Sequence, residues 1–312
     1  MTCAGTAWRP QRKIELVAGT PPGGGLDRSA RALIKAIESL KLLDVPVEVV
    51  NIPGDGARKA WTYVEQHAGD PHVLSISSPN LTTDHLVGLA AFDHSSFTPL
   101  AILYTEYLAF VARADSPIKS GADLMRRLGD DAGSITVALS TAKGNPNHIA
   151  LAQVTRHTGG DVRAPHIRVF DSALDAVADV AEGHADIGVI TAASAVKELA
   201  AGRVRALAVS SPGRLPGLYE KTPTWAELSV DCTIGAWRGI TGARELKAEH
   251  IVFWENIFST ATAGAEWDAE LVRHYWTRMY LDGAPLREFL QRERAGMGAL
   301  LEDLGLLKQA SP

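Results

Sequence analysis

The chain has 312 residues, 46% hydrophobic and 21% charged, with a formal net charge of −5. That length holds one large domain or two modest ones, and two fits ordinary domain sizes better. No basic cluster is dense enough for a nucleic-acid surface; Arg203 and Arg205 read as ordinary surface at a helix end. No apolar run reaches the ~18 residues of a membrane span. The ten histidines show no metal-ligand spacing, and the two cysteines, Cys3 and Cys232, give no disulfide framework. Met1 to Lys13 lacks the apolar stretch of a secretory signal. Two origins stay open: a signal removed beforehand, or a cytosolic protein.

Apolar runs with period two alternate with runs of helical period almost throughout, which predicts α/β architecture with largely parallel sheets. Ile14–Ala18 is the first strand, Gly19–Gly25 a tight loop, and Asp27–Leu42 a helix with Ala30, Leu33, Ile34 and Ile37 on its apolar face. Val45–Val50 is a strand, Arg58–His67 a helix and Val73–Ser77 a strand. A second unit is expected from Leu108, opening with a strand at Leu108–Val111. It continues as helix Gly121–Leu128, strand Ile135–Leu139, helix Asn147–Thr158, strand Ile167–Phe170 and helix Leu174–Glu182. Strand Ile187–Ile190, helix Ala193–Ala201 and strand Val204–Ser210 close it. One helix follows Pro223, then a strand near Ala236–Ile240 and a helical tail from Glu249 to Leu306. Trp254, Trp267 and Trp276 in that tail are spaced for packing.

The most informative segment is Thr20-Pro-Pro-Gly-Gly-Gly-Leu-Asp27, between the first strand and helix. Its glycines leave peptide N–H groups uncovered, and the helix start adds unpaired donors and partial positive charge. Such a loop cradles an anion without lysine or arginine; the alternative is a tight turn with Asp27 as N-cap. The loop lacks the Gly-Lys-Ser/Thr of a phosphate loop and the spaced glycines of a dinucleotide fingerprint, so no nucleotide cofactor is expected. Ser116-Pro-Ile-Lys119 matches Ser-x-x-Lys without its partner motifs and reads as a loop. No Gly-x-Ser-x-Gly elbow occurs. His148, beside Asn147 at a helix start, is a ligand contact or a surface or capping residue.

Ala18-Gly-Thr-Pro-Pro-Gly-Gly-Gly-Leu-Asp-Arg-Ser-Ala-Arg31 resembles the first loop and helix of the tripartite tricarboxylate transporter receptors, often called Bug proteins. Val49-Val-Asn-Ile-Pro-Gly54, Arg203-Val-Arg-Ala-Leu-Ala-Val-Ser-Ser211, Arg214 with Thr222-Pro-Thr-Trp-Ala-Glu227, and Trp237-Arg-Gly239 resemble further motifs of that family, in its order. The resemblance implies a two-lobed α/β fold of the periplasmic-binding-protein type (type II, Venus flytrap), with the ligand cleft between lobes. Lobe I is expected from residues 1–107 plus 236–312, and lobe II from 108–235. It further implies a periplasmic solute receptor that binds a small carboxylate (a di- or tricarboxylate, an aromatic acid or an amino acid) and delivers it to membrane permease subunits. The receptor is expected to be a monomer without catalytic residues, cofactor, metal or nucleic-acid partner. A cytosolic ligand sensor and an enzyme acting on a small carboxylic acid are the alternatives.

Carried over, the ligand-binding residues of the first lobe are Thr20, Pro22, Gly23, Gly24 and Asp27, with Ser77, Ser78 and Asn80 after the third strand. From the second lobe they are Thr141, Asn145, Asn147, His148, Phe170, Asp171 and Thr191. The sequence departs from the family at Thr20, where a Phe is usual, at Asp171, which replaces a basic residue, and at Asp55, where a small residue is usual. An acid at 171 would repel a second carboxylate or pair with a ligand amine.

Overall fold

The structure is a computed structural model and describes residues 8–307; Cys3 lies outside that range. In chain order the first elements are β1 (Ile14–Ala18), α1 (Gly25–Ser39), β2 (Val47–Asn51), α2 (Arg58–Glu65), β3 (Val73–Ser77) and α3 (Asn80–Leu86). Strand β4 (Thr98–Arg113) precedes α4 (Gly121–Asp131), β5 (Thr136–Ser140), α5 (Pro146–His157), β6 (His166–Phe170), α6 (Ala173–Ala181), β7 (Ile187–Thr191), α7 (Ala192–Ala200) and β8 (Val204–Val209). The chain ends in β9 (Gly235–Gly242), α8 (Ala248–Thr262), α9 (Ala265–Arg273), β10 (Trp276–Leu281) and α10 (Gly283–Asp303).

The run Leu108–Val111 belongs to a longer strand than expected. β4 has 16 residues and joins two sheets, pairing antiparallel with β9 and β10 before Leu108 and with β7 and β8 from Leu108 onward. One sheet carries β2-β1-β3-β9-β4 and the other β4-β7-β5-β6. Within them β1–β2, β1–β3, β5–β6 and β5–β7 are parallel, as alternating strand–helix units require. The β3–β9 pair and every pairing of β4 are antiparallel, so the sheets are mixed and not largely parallel as expected. Two further expectations fail. The segment after Pro223 forms only a single turn of 3₁₀ helix at Ala226–Leu228, and the tail is interrupted by β10.

Each sheet has its own core. The first gathers Leu16, Leu33, Trp61, Leu74, Tyr104, Trp254 and Trp267, with the Tyr104 and Trp276 rings stacked at 3.9 Å. The second gathers Phe110, Leu124, Val137, Leu151, Val189 and Trp225. α10 leaves Leu286 and Leu290 beside Ile102 and Trp237, then places Met297, Leu301 and Leu304 in the second core. Where β4 passes from one sheet to the other, the Ser210 hydroxyl accepts from the Leu108 N–H (2.9 Å) and donates to the Ile234 carbonyl (2.6 Å). Both connecting segments are therefore tied at one buried point.

Candidate functional site

α1 exists because Leu26, Ala30, Leu33 and Ile37 recur at helical spacing and bury one face. Its first turn lies against the first strand's end. Gly24 caps it, and a side-chain carbon there would sit 2.6 Å from Thr20 Oγ1, so only glycine lets the loop close. Asp27 is the third helical residue, not the cap, and is almost fully buried. Its carboxylate accepts from the Gly23 N–H (2.8 Å), Arg31 Nε (2.8 Å) and Asn51 Nδ2 (2.9 Å). Burial pulls its pKa upward, but the hydrogen bonds from Arg31, Gly23 and Asn51 outweigh that and hold the carboxyl below the usual range. The Gly24 N–H donates to the Pro21 carbonyl at 2.9 Å. Two of the predicted cradle donors are thus spent inside the loop. The donors left over are the Gly25 and Leu26 N–H groups, which have no acceptor within the helix by position.

Those two residues line a cavity of about 40 Å³ between the sheets. Thr20, Ala57 and Gly56 close it on the same side, with Ser78 and Asn80 from the start of α3. Across from them stand Ser140, Thr141, Pro146 and Asn147 from the β5–α5 connection, Ser172 and Ala173 at the start of α6, and Thr191 and Ser194 at the start of α7. Ala236 and Arg238 of β9 complete the wall. The N-termini of α1, α2, α5, α6 and α7 therefore face one small space, each carrying a partial positive charge.

The two sides touch directly. Asn80 Nδ2 donates to Thr141 Oγ1 (2.7 Å), and Arg28 Nη2 to Ser194 Oγ (2.7 Å). A side-chain carbon on Gly56, at φ +65°, would lie 2.6 Å from the Thr141 carbonyl. Thr141 itself holds a left-handed φ of +71°, fixed by its N–H on the Phe170 carbonyl (2.7 Å) and by Asn145 Nδ2 on its hydroxyl (2.9 Å). A strained non-glycine residue pinned from several sides is the kind of backbone found at ligand clefts.

Of the residues expected to bind ligand, Thr20, Ser78, Asn80, Thr141, Asn147 and Thr191 line this cavity. Gly24 and Asp27 lie behind it and shape the loop, while Pro22 and Gly23 are exposed at its outer edge. Ser77 faces a separate small space beneath β9. Asn145 caps α5, its Oδ1 accepting from the His148 N–H at 3.1 Å. His148 turns away: its Nδ1 accepts from the Gly144 N–H (2.9 Å), and the ring lines a different hollow with Lys143 and Arg163. Burial and the Lys143 charge lower its pKa to about 4. Phe170 and Asp171 are outside the cavity, and Asp171 is exposed.

Arg238 was not anticipated. It is the one ionisable side chain among the described residues that line the cavity. Its Nη2 lies 2.6 Å from Oε1 of the buried Glu106, whose other oxygen accepts from Trp276 Nε1 at 3.3 Å. The available signal was a single cation inside the apolar run Ala236–Ile240, matched by a single acid in the apolar strand containing Glu106. Nearby, Arg58 pairs with the fully buried Asp84 at 2.9 Å; burial still raises the Asp84 pKa to about 6. Among the described residues no cluster of three or more His, Cys, Asp or Glu side chains is placed to hold a metal.

A family model, the tripartite tricarboxylate transporter family receptor, matches residues 30–306. A UPF0065 protein from the tcbD–tcbE intergenic region of Pseudomonas sp. (strain P51) is 29% identical over 220 residues, which are 70% of this chain and 63% of that protein. The matched segment thus spans less than two thirds of that relative. A TctC solute-binding protein from Polaromonas superposes over 94% of this chain and 99% of its own, with TM-score 0.67 and 26% identity. MatC from Rhodopseudomonas palustris, solved with bound malate, gives TM-score 0.80 at 21% identity, over 94% of this chain and 99% of its own. The chain belongs to the tripartite tricarboxylate transporter receptor family.

Proposed function

We propose that this member of the receptor family is an extracytoplasmic solute-binding protein that closes its two lobes on a small carboxylate. One observation carries the reading: the N-termini of α1, α2, α5, α6 and α7, drawn from both sheets, converge on a single cavity with an arginine in its wall. Peptide N–H groups at helix starts are preorganised anion donors. The arginine suits binding, because a guanidinium stays protonated and supplies neither a base nor a nucleophile. The malate bound to MatC supports the same ligand class.

In this reading lobe I comprises residues 1–107 plus 236–312, and lobe II residues 108–235. β4 and the segment held by Ser210 form the hinge. A carboxylate bridging the lobes favours closure by contacting both, as ligand-driven population shift requires. The closed monomer then docks on membrane permease subunits from the periplasmic side. No helix among the described residues is long and apolar enough to cross a membrane itself.

A thermal-shift screen against small carboxylates and amino acids tests the proposal. A ligand at 100 times its Kd stabilises by roughly 2.7 kcal/mol, and it should be recovered unchanged by mass spectrometry. Consumption of the ligand would favour an enzyme, and the absence of any stabilising carboxylate would refute the receptor.

A further inference from the structure

Resting on the carboxylate reading above, we infer that Arg238 is the specificity-determining residue of the cleft: it contacts the ligand carboxylate directly and, with the closed walls, restricts the ligand to a compact hydroxy or keto acid.

The first support is the state of the guanidinium. Arg238 is 8% exposed, on an interior strand, in the cavity wall. Nη1 folds back onto its own strand, donating to the carbonyls of Ala236 (3.2 Å) and Trp237 (3.0 Å). Nη2 faces Glu106, and Nε–H has no acceptor among the described residues. A buried, charged donor without a partner is costly, and native structures keep such groups where a ligand or water completes them.

The second support is position. A side-chain carbon at Gly25 would lie 3.8 Å from Arg238 Nη2 and 4.0 Å from Arg28 Nη2. Both guanidiniums therefore approach the start of α1, where the Gly25 and Leu26 N–H groups have no helical acceptor, and of the two only Arg238 lines the cavity. An oxyanion seated there takes main-chain donors from Gly25 and Leu26 and a charge-assisted bond from Arg238. Glu106 acts through Arg238. With Trp276 it fixes the fork beneath the cavity, and it offsets the arginine's charge when the cleft is empty.

The third support is size. A cavity of about 40 Å³ holds roughly three waters, so a compact acid enters it with the least displacement of the walls. Enlarging it requires breaking the Asn80–Thr141 and Arg28–Ser194 bonds that hold the lobes together. The polar groups of the remaining wall are hydroxyls and amides, Ser78, Ser140, Asn147 and Thr191 among them, which can hydrogen-bond a hydroxyl or keto oxygen, while Leu26, Ala57, Pro146 and Ala173 face a short carbon chain. Glycolate, lactate, pyruvate and glycerate fit this description; adipate, citrate and benzoate do not.

The test is isothermal titration calorimetry of the full chain with glycolate, lactate, pyruvate, glycerate, malate, adipate, citrate and benzoate, on wild type, R238Q, R238K and the double variant E106Q/R238Q. The double variant removes both buried charges together and preserves a folded comparison if R238Q alone is destabilised. Wild type should bind a three-carbon acid at least about tenfold more tightly than adipate or citrate. R238Q and E106Q/R238Q should each lose roughly 10- to 100-fold in affinity, the range for one hydrogen bond to a charged group. R238K should recover part of it. If wild type binds a carboxylate while the double variant binds it within threefold, or if adipate or citrate binds as tightly as lactate, the assignment is overturned although the receptor reading stands. If no carboxylate binds wild type, the receptor reading falls and this inference with it.

Discussion

Asp27 ties the first loop together through Gly23, Arg31 and Asn51, and its replacement measures that role. In Asp27→Asn the side chain keeps its shape but exchanges one acceptor oxygen for an NH₂ donor. Oδ2 accepts from both Gly23 N–H and Arg31 Nε, and Oδ1 from Asn51 Nδ2. Whichever way the amide turns, its NH₂ meets at least one of these donors, and a buried N–H loses its partner. Hydrogen bonds to a charged group are worth about 1.5–3 kcal/mol each, and an orphaned buried donor costs about 1–3 kcal/mol. The expected loss is therefore about 2–4 kcal/mol in urea denaturation at pH 7. Arg31→Ala is the control, because Arg31 is 58% exposed and a surface partner is worth about 0–1 kcal/mol. The sign of the pH dependence follows from the lowered pKa of Asp27. Its contribution is complete above the unfolded carboxylate value near 3.8 and is lost as pH falls through the lower folded value. The gap between wild type and Asp27→Asn should then narrow in acid. A loss below about 0.5 kcal/mol, or an Arg31→Ala loss just as large, would show that Asp27 is not the organiser of the loop.

Gly56→Ala places a carbon 2.6 Å from the Thr141 carbonyl across the cleft; ligand affinity should fall at least about tenfold while the unfolding midpoint moves little beyond the ~1 kcal/mol of a positive φ. Unchanged affinity would place Gly56 outside the closing surface. Ser210→Ala orphans the Leu108 N–H and the Ile234 carbonyl, so a loss of about 1–3 kcal/mol is expected in denaturant, with faster amide exchange at Leu108; unchanged exchange would contradict the hinge anchor. His148, lowered from 6.5 to about 4 by burial and Lys143, makes stability highest above pH 6.5 and reduces it by about 3 kcal/mol as pH falls toward 4. His148→Gln should flatten that segment of the profile, and a profile as steep as wild type would refute the assignment.

Most of the α/β framework was legible because its signals are local. Alternation marks β1 and β3, and the 3–4 spacing of Leu33 and Ile37 marks α1. What escaped depends on partners distant in sequence. β10 is a short strand between helices, with two exposed residues in Trp276–Leu281, and it exists only because β4 offers a free edge. The strand expected at Leu108–Val111 lies within the second half of β4, although the polar Thr105 and Glu106 interrupt its apolar run. Glu106, however, is a buried ion-pair partner and the strand passes straight through it. The site shows the same division. Hydroxyls expected at strand–helix junctions, Thr20, Ser78, Thr141 and Thr191, line the cavity, and such junctions are legible because helix starts are readable. Asn145 and His148 share that junction, but one caps its helix and the other turns outward. Arg238 was hidden by position: nothing in Trp237-Arg-Gly239 says which face of an interior strand its side chain takes.

The central claim is that a carboxylate sits between the lobes at the start of α1. A crystal structure of the chain with the ligand that gives the largest thermal shift tests it most directly. The account predicts carboxylate oxygens within hydrogen-bond distance of the Gly25 and Leu26 N–H groups, with second-lobe contacts from Thr141, Asn147 or Thr191. A ligand found instead in the hollow beside Lys143 and His148, with the interlobe cavity unchanged, would contradict it.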